Sequence, residues 1–270
     1  MRISGLRRER ARAMVTLLII LILGAALRFY RLGLVPPGFQ FDEAYNVIDA
    51  VHVLEGEWQI FFPANGGREP LYTYWQALFV AGLGPNVFAL RLASAVAGVA
   101  TIALTYVLVR ALLPHQPRRV ATLTAAFLAL SYWHIHFSRY AIRAILLPPL
   151  TILTFYGFWQ GLEARRRPYL YLTVSGIFLA AAVYAHPAAR LLPLVLAPFA
   201  LYRALSHRAQ ARRYLGGLAL VGLIAVVLLL PLGHYFWEHP WLFSGHPRDV
   251  SIFDPRVNEG DIPRALLTNL

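Results

Sequence analysis

EPLYTYWQALFVAGLG, residues 69–84, is apolar enough to pass for a membrane span, and whether it crosses sets the side of every loop that follows. Other apolar runs lie at 14–34, 87–112, 120–138, 141–163, 169–186, 187–203 and 214–234, about seven spans if each needs roughly 17 to 25 residues. Keeping 69–84 on one side places segments 1–13, 110–119, 164–168 and 203–213 on a common face. Those segments hold 15 of the 25 arginines, while 11 of the 13 carboxylates, all but Glu9 and the boundary Glu163, lie on the other side, which is the asymmetry of a cytoplasmic face. A crossing at 69–84 would send Arg165, Arg166 and Arg167 to the other side. The stretch therefore reads as an interfacial helix with Tyr72, Tyr74 and Trp75 at headgroup level.

Composition agrees. Charged residues are 14% of the chain, well below the roughly one quarter of a soluble domain, and mean hydropathy is +0.54, so the protein is integral to a membrane. The net charge of +12 does not indicate nucleic acid, because the basic residues fall in short clusters between apolar runs. Cysteine and lysine are both absent, which excludes disulfides, thiolate chemistry and lysine Schiff bases. The first run follows Arg2, Arg7, Arg8, Arg10 and Arg12 and lacks a small-residue cleavage site, so it reads as a retained anchor with the N-terminus in the cytoplasm. The expected organisation is a cytoplasmic segment 1–13, a transmembrane module 14–234 with a large extracytoplasmic loop 35–86, and an extracytoplasmic segment 235–270. Trp237, Trp241 and Phe243 read as an interfacial belt in that last segment, beyond which the chain is expected to continue.

Within loop 35–86, GFQFDEAYNVIDA at 38–50 sets Asp42 beside Glu43. Adjacent carboxylates repel and lose solvation near an apolar boundary, so their presence needs a reason. Ala44, Val47, Ile48, Val51 and Leu54 follow at helical spacing, predicting a helix near 42–55 whose positive N-terminal end favours acids; Asp42 as its N-cap is the plain reading. A second helix is expected near 69–83. Arg68, Arg91, Arg139, Arg143 and Arg190 all map to this end of the bundle, with His134, His136 and His186 at the same level. Taken singly, such arginines snorkel to headgroups or pair with loop acids; as a set beside Asp42, Glu43 and Glu69 they indicate a shared anionic partner, for which a guanidinium fork suits phosphate. A carboxylate base beside a lipid phosphate is what sugar transfer from a polyprenyl phosphate requires. The histidine pair of HIH and the pair Asp49, His52 have only loose metal-ligand spacing and read as hydrogen-bonding groups.

The ordered set FDEAYN, REPLYTYW, GPNVFALRLASAVAG, HFSRYAIRAILLP and YAHPAARLLPL resembles the N-terminal module of the GT-C membrane glycosyltransferases, among them protein O-mannosyltransferases and aminoarabinose transferases. The resemblance covers nearly the whole chain. It implies an all-α polytopic fold of about seven transmembrane helices, the first extracytoplasmic loop carrying two juxtamembrane helices. It implies Asp42 as catalytic base, Glu43 as second acid, and Arg68 as a phosphate contact where relatives carry Lys or His before two prolines. Arg91, Arg139, Arg143 and Arg190 are the further expected phosphate ligands, with Glu69, His134, His136 and His186 in support. Arg143 stands where many O-mannosyltransferases have an Asp, which argues against a metal bridged there; no cofactor is expected, and a divalent cation is left open. The implied partners are a polyprenyl-phosphate sugar donor and a lipid, glycan or protein acceptor, in a bacterial plasma membrane. Two other classes fit the same charges: an anion or lipid-phosphate transporter, which should show inverted repeats and midplane charges, and an inactive truncated module that binds lipid.

Overall fold

The computed structural model describes residues 2–164, 166–243, 258 and 260–264, the side chains of 2–8 and 10 excepted. The described residues form ten α-helices: α1 (Arg2–Phe29), α2 (Phe41–Leu54), α3 (Leu71–Leu83), α4 (Val87–Leu112), α5 (Arg118–Leu130), α6 (Tyr132–Ser138), α7 (Leu147–Glu163), α8 (Pro168–Ala185), α9 (Pro193–Ser206) and α10 (Ala211–Glu238). Short 3-10 turns, Arg143–Leu146 and Pro187–Leu191, lead into α7 and α9. Six helices are long and apolar enough to cross a membrane, and a seventh crossing is made if α5 and α6, bent by 60° at Ser131, count as one span.

The helix within 69–84 is short for a membrane span. Proline 70 precedes α3, and Gly84 ends it at φ 78°, a conformation that costs a residue with a side chain. Thirteen helical residues reach about 20 Å, short of the roughly 30 Å hydrocarbon layer. Asn86 then starts α4 by accepting a hydrogen bond from the Ala89 N–H at 3.0 Å. The long first loop thus carries two short helices, α2 and α3, packed on each other over Ala50, Val53, Phe62, Ala77, Val80 and Leu90.

One expectation about these helices changes. Tyr72 does not reach the headgroups: it is buried, its hydroxyl 2.5 Å from that of Ser94. Tyr74 and Trp75 likewise spend their polar atoms inside the protein, on the Gln59 carbonyl and the Ala93 carbonyl. Helix α2 buries its polar side, Glu43, Asn46 and Asp49, and exposes Phe41, Ile48 and Leu54. The rest of the bundle packs through small residues: a Cβ at Gly176 of α8 would lie 2.9 Å from the Val221 carbonyl of α10. Trp237 near the end of α10, and Trp241 and Phe243 after it, are exposed. The remainder of segment 235–270, and Arg165 of the 164–168 cluster, lie largely outside the described residues.

Candidate active site

The long loop is clamped to one end of the bundle by two buried arginines. Arg91, near the start of α4, spends every N–H: Nε and Nη2 donate to the two Glu43 oxygens at 2.8 Å each, and the others reach the carbonyls of Leu32, Pro36 and Gly38. Glu43 accepts two more bonds, from the N–H groups of Ala141 at 3.0 Å and Gln40 at 3.1 Å. Burial pushes the Glu43 carboxyl up, but Arg91 and these two amides together hold it below its usual range. Arg139 donates to the carbonyls of Leu27, Arg28, Tyr30 and Val35, closing the C-terminal end of α1. Neither Arg91 nor Arg139 reaches an open cavity with a spare fork.

The neighbouring carboxylate has a different environment. Gln40, not Asp42, is the N-cap of α2, and Asp42 sits in the helix's first turn, exposed at the edge of a cavity of about 300 Å³. Asn46, Asn65, Arg68, Arg143 and His186 line the same cavity. Asn65 donates its amide to Asp42 Oδ1 at 2.7 Å, and among the described residues Asp42 has no ion pair. The loop that offers Asn65 is closed by paired backbone bonds between Phe62 and Arg68 and turns through left-handed Asn65, Gly66 and Gly67. A Cβ at Gly67 would lie 2.7 Å from the Phe61 ring, so this turn admits only glycine there.

Opposite Asp42, Arg68 donates to Asn46 Oδ1 at 2.9 Å and forms an ion pair with Asp49. Arg143 donates to the Gly67 carbonyl and to Glu69 Oε2, each at 2.9 Å. The other Glu69 oxygen accepts from Arg190 at 3.3 Å, whose guanidinium covers the Phe243 ring at 4.5 Å. Glu69 therefore bridges two arginines. Asp42, Asp49 and Glu69 balance Arg68, Arg143 and Arg190, and only Asp42 of the three acids is left without a guanidinium bond among the described residues.

The expected site residues thus separate. Asp42, Arg68, Arg143 and His186 meet at the cavity, with Glu69 and Arg190 behind Arg143. His136 lines a smaller adjoining pocket of about 120 Å³ with Asp42 and Glu43. His134 points elsewhere: its Nδ1 accepts from Arg28 at 2.7 Å, so the ring is neutral with its proton on Nε2. Arg28 itself, absent from the expected set, is fully buried and donates to Ser138 Oγ and to the carbonyls of Leu128 and Ala129 at the α5–α6 bend. Asn46 and Asn65 were also missed. Asp42, Asn46 and Asp49 recur at spacings of four and three, a polar stripe on one helix face, and Asn65-Gly66-Gly67 is a turn signal. Among the described residues no group of three His, Asp or Glu side chains is arranged to hold a metal ion. Glu43, Asp49 and Glu69 are engaged by arginine, leaving Asp42 alone as a carboxylate ligand, a donor set that does not fit a resident cation.

A helical membrane bundle with this loop architecture is of the GT-C class of membrane glycosyltransferases. The sequence model of the dolichyl-phosphate-mannose-protein mannosyltransferase family matches residues 67–234, and the chain belongs to that family. No curated protein matches the sequence. Among solved structures the fold is similar to the oligosaccharyltransferase AglB of Archaeoglobus fulgidus in complex with an inhibitory peptide and a dolichol-phosphate, with TM-score 0.66 and 15% identity over 96% of this chain. The apo form of the A. fulgidus oligosaccharyltransferase gives TM-score 0.60 and 16% identity over 95% of this chain. The chain spans 36% of the length of each of these enzymes.

Proposed function

We propose that the protein transfers a sugar from a polyprenyl-phosphate carrier to a lipid, glycan or protein acceptor at the extracytoplasmic face of a bacterial plasma membrane, with its N-terminus in the cytoplasm. One observation carries this reading: Asp42, which has no ion pair among the described residues, lines a cavity of about 300 Å³ together with Arg68 and Arg143. Asp42 accepts the proton of the acceptor hydroxyl or amine. The freed electron pair forms the new bond to the anomeric carbon, the bond from that carbon to the phosphate oxygen breaks, and polyprenyl phosphate leaves with that electron pair. Attack opposite the leaving group inverts the anomeric centre.

Each surrounding group has a part in that step. Arg68 and Arg143 offer N–H donors to the phosphate, and guanidinium forks match its oxygens in geometry and charge. Glu69 holds Arg143 and Arg190 at a fixed separation, so it acts on the phosphate through them. Asn65 fixes the Asp42 carboxylate and leaves its second oxygen toward the cavity. Glu43, with every acceptor position occupied, serves as the anchor of the loop rather than as a second proton carrier.

A general base contributes about 10² to 10⁴-fold to such a step. Radiolabelled polyprenyl-phosphate sugars assayed with the purified chain should show turnover that falls by that factor in Asp42→Asn while donor binding persists. Full activity in Asp42→Asn removes the base assignment. A folded native chain that releases sugar from no donor in the panel supports the lipid-binding module instead.

A further inference from the structure

A second charged cavity lies at the opposite end of the bundle from Asp42, where α1 begins, α4 ends and α5 starts. It measures about 1130 Å³, and Arg12, Arg110, Arg118 and Arg119 converge on it from those three helices. Glu9 is the one carboxylate on its wall, and no ion pair reaches any of the four arginines among the described residues. Arg110 gives one bond to the Gln116 carbonyl at 2.8 Å. The hydroxyls of Thr16 and Thr122 are turned back onto their own helices, to the carbonyls of Arg12 and Arg118. Helix α5 also opens here on Pro117, which offers no side-chain cap to the first N–H groups.

Four guanidinium groups with no ion pair among the described residues, around one concavity that holds a single carboxylate, repel each other unless a further anion sits among them. The general bias of arginines toward one face accounts for their number but not for their convergence from separate helices. Lipid-facing surface starts directly beside the cavity: Met14, Val15 and Leu18 on α1 and Leu123 on α5 are exposed apolar side chains. The geometry points to a binding site for the phosphodiester headgroup of an anionic membrane lipid, its acyl chains lying along α1 and α5. This site is independent of sugar transfer at the other end.

Native mass spectrometry of the whole chain, titrated with phosphatidylglycerol and with phosphatidylcholine, tests it. Phosphatidylglycerol should be retained roughly tenfold better, and R110Q/R118Q/R119Q should lose that preference. R208Q/R212Q/R213Q, which removes equal charge from exposed residues of the turn before and the start of α10, should keep it. Equal loss in both triple variants, or no preference in the native chain, overturns the proposal. Displacement of the lipid by inorganic pyrophosphate at equal concentration overturns the choice of a lipid over a soluble phosphate. The single substitution Arg119→Gln, at an exposed position, should lower the preference even if the triple variant does not fold.

Discussion

Asp42 and Glu43 are adjacent in sequence and opposite in use. Glu43 is 1% exposed and meets Arg91 through two bonds of 2.8 Å, and removing one partner of a buried pair costs about 3 to 5 kcal/mol. Arg91→Ala is therefore expected to lower the melting temperature in detergent strongly; a shift within error would show that the loop is held by other contacts. Glu43 titrates below its unfolded value, so its stabilisation is complete near neutral pH and is lost as the pH falls through its depressed pKa. The melting-temperature gap between native protein and Glu43→Gln should close on acidification below about pH 4; a gap that widens there contradicts the ion-pair account. Asp42, exposed and held by Asn65, is the residue whose loss should leave stability intact. Asn65→Ala is expected to lower turnover about tenfold with donor binding unchanged, because a carboxylate free to rotate is a poorer base. The acidic pair was legible from sequence as a functional signal, but which acid is free and which is spent was not, since that depends on Arg91 reaching Glu43 from 48 positions away.

At the level of helices, the periodic apolar residues located α2 but said nothing of which side it buries. Beside the apolar Ala50 and Val53, which pack on α3, the helix buries the polar Glu43, Asn46 and Asp49, and leaves Phe41, Ile48 and Leu54 outward. The α5–α6 bend shows the same dependence on surroundings. Its 60° break leaves the Ala129 carbonyl in need of an internal donor, which the buried Arg28 supplies at 3.1 Å, while the Leu128 carbonyl accepts from both the Ser131 N–H and Arg28. Arg28→Met keeps the length and removes the donors, and about 1 to 3 kcal/mol of stability should go with the Ala129 carbonyl left unpaired. Thermal unfolding of that variant in lipid nanodiscs is the check, and an unchanged midpoint would mean that water or lipid satisfies that carbonyl. Sequence reading passed over Arg28 because a lone arginine at the end of an apolar run looks like a snorkelling side chain.

For the molecule as a whole, the parity set by residues 69–84 places the two charged cavities at opposite ends of the bundle. The chain has no cysteine, so single substitutions Trp58→Cys in the long loop and Gln116→Cys between α4 and α5 give clean reporters. An impermeant thiol reagent added outside intact cells should label the first and spare the second; labelling of both at equal rates would place a crossing at α3. What the sequence determined by itself was the membrane class, six apolar spans and a seventh that holds if α5 and α6 count as one, the clustering of arginine in a few short segments and the acidic pair beside the first span. Those features are set by apolar run length and by charge counts, which are local and additive along the chain. The tertiary structure alone decided which arginines are spent on carbonyls and carboxylates, that Asn65 reaches Asp42, and that Asp42 is left facing Arg68 and Arg143. Hydrogen-bond saturation is a property of partners brought together in space, and the partners of Arg91, Arg139 and Arg28 lie as many as 112 residues away along the chain.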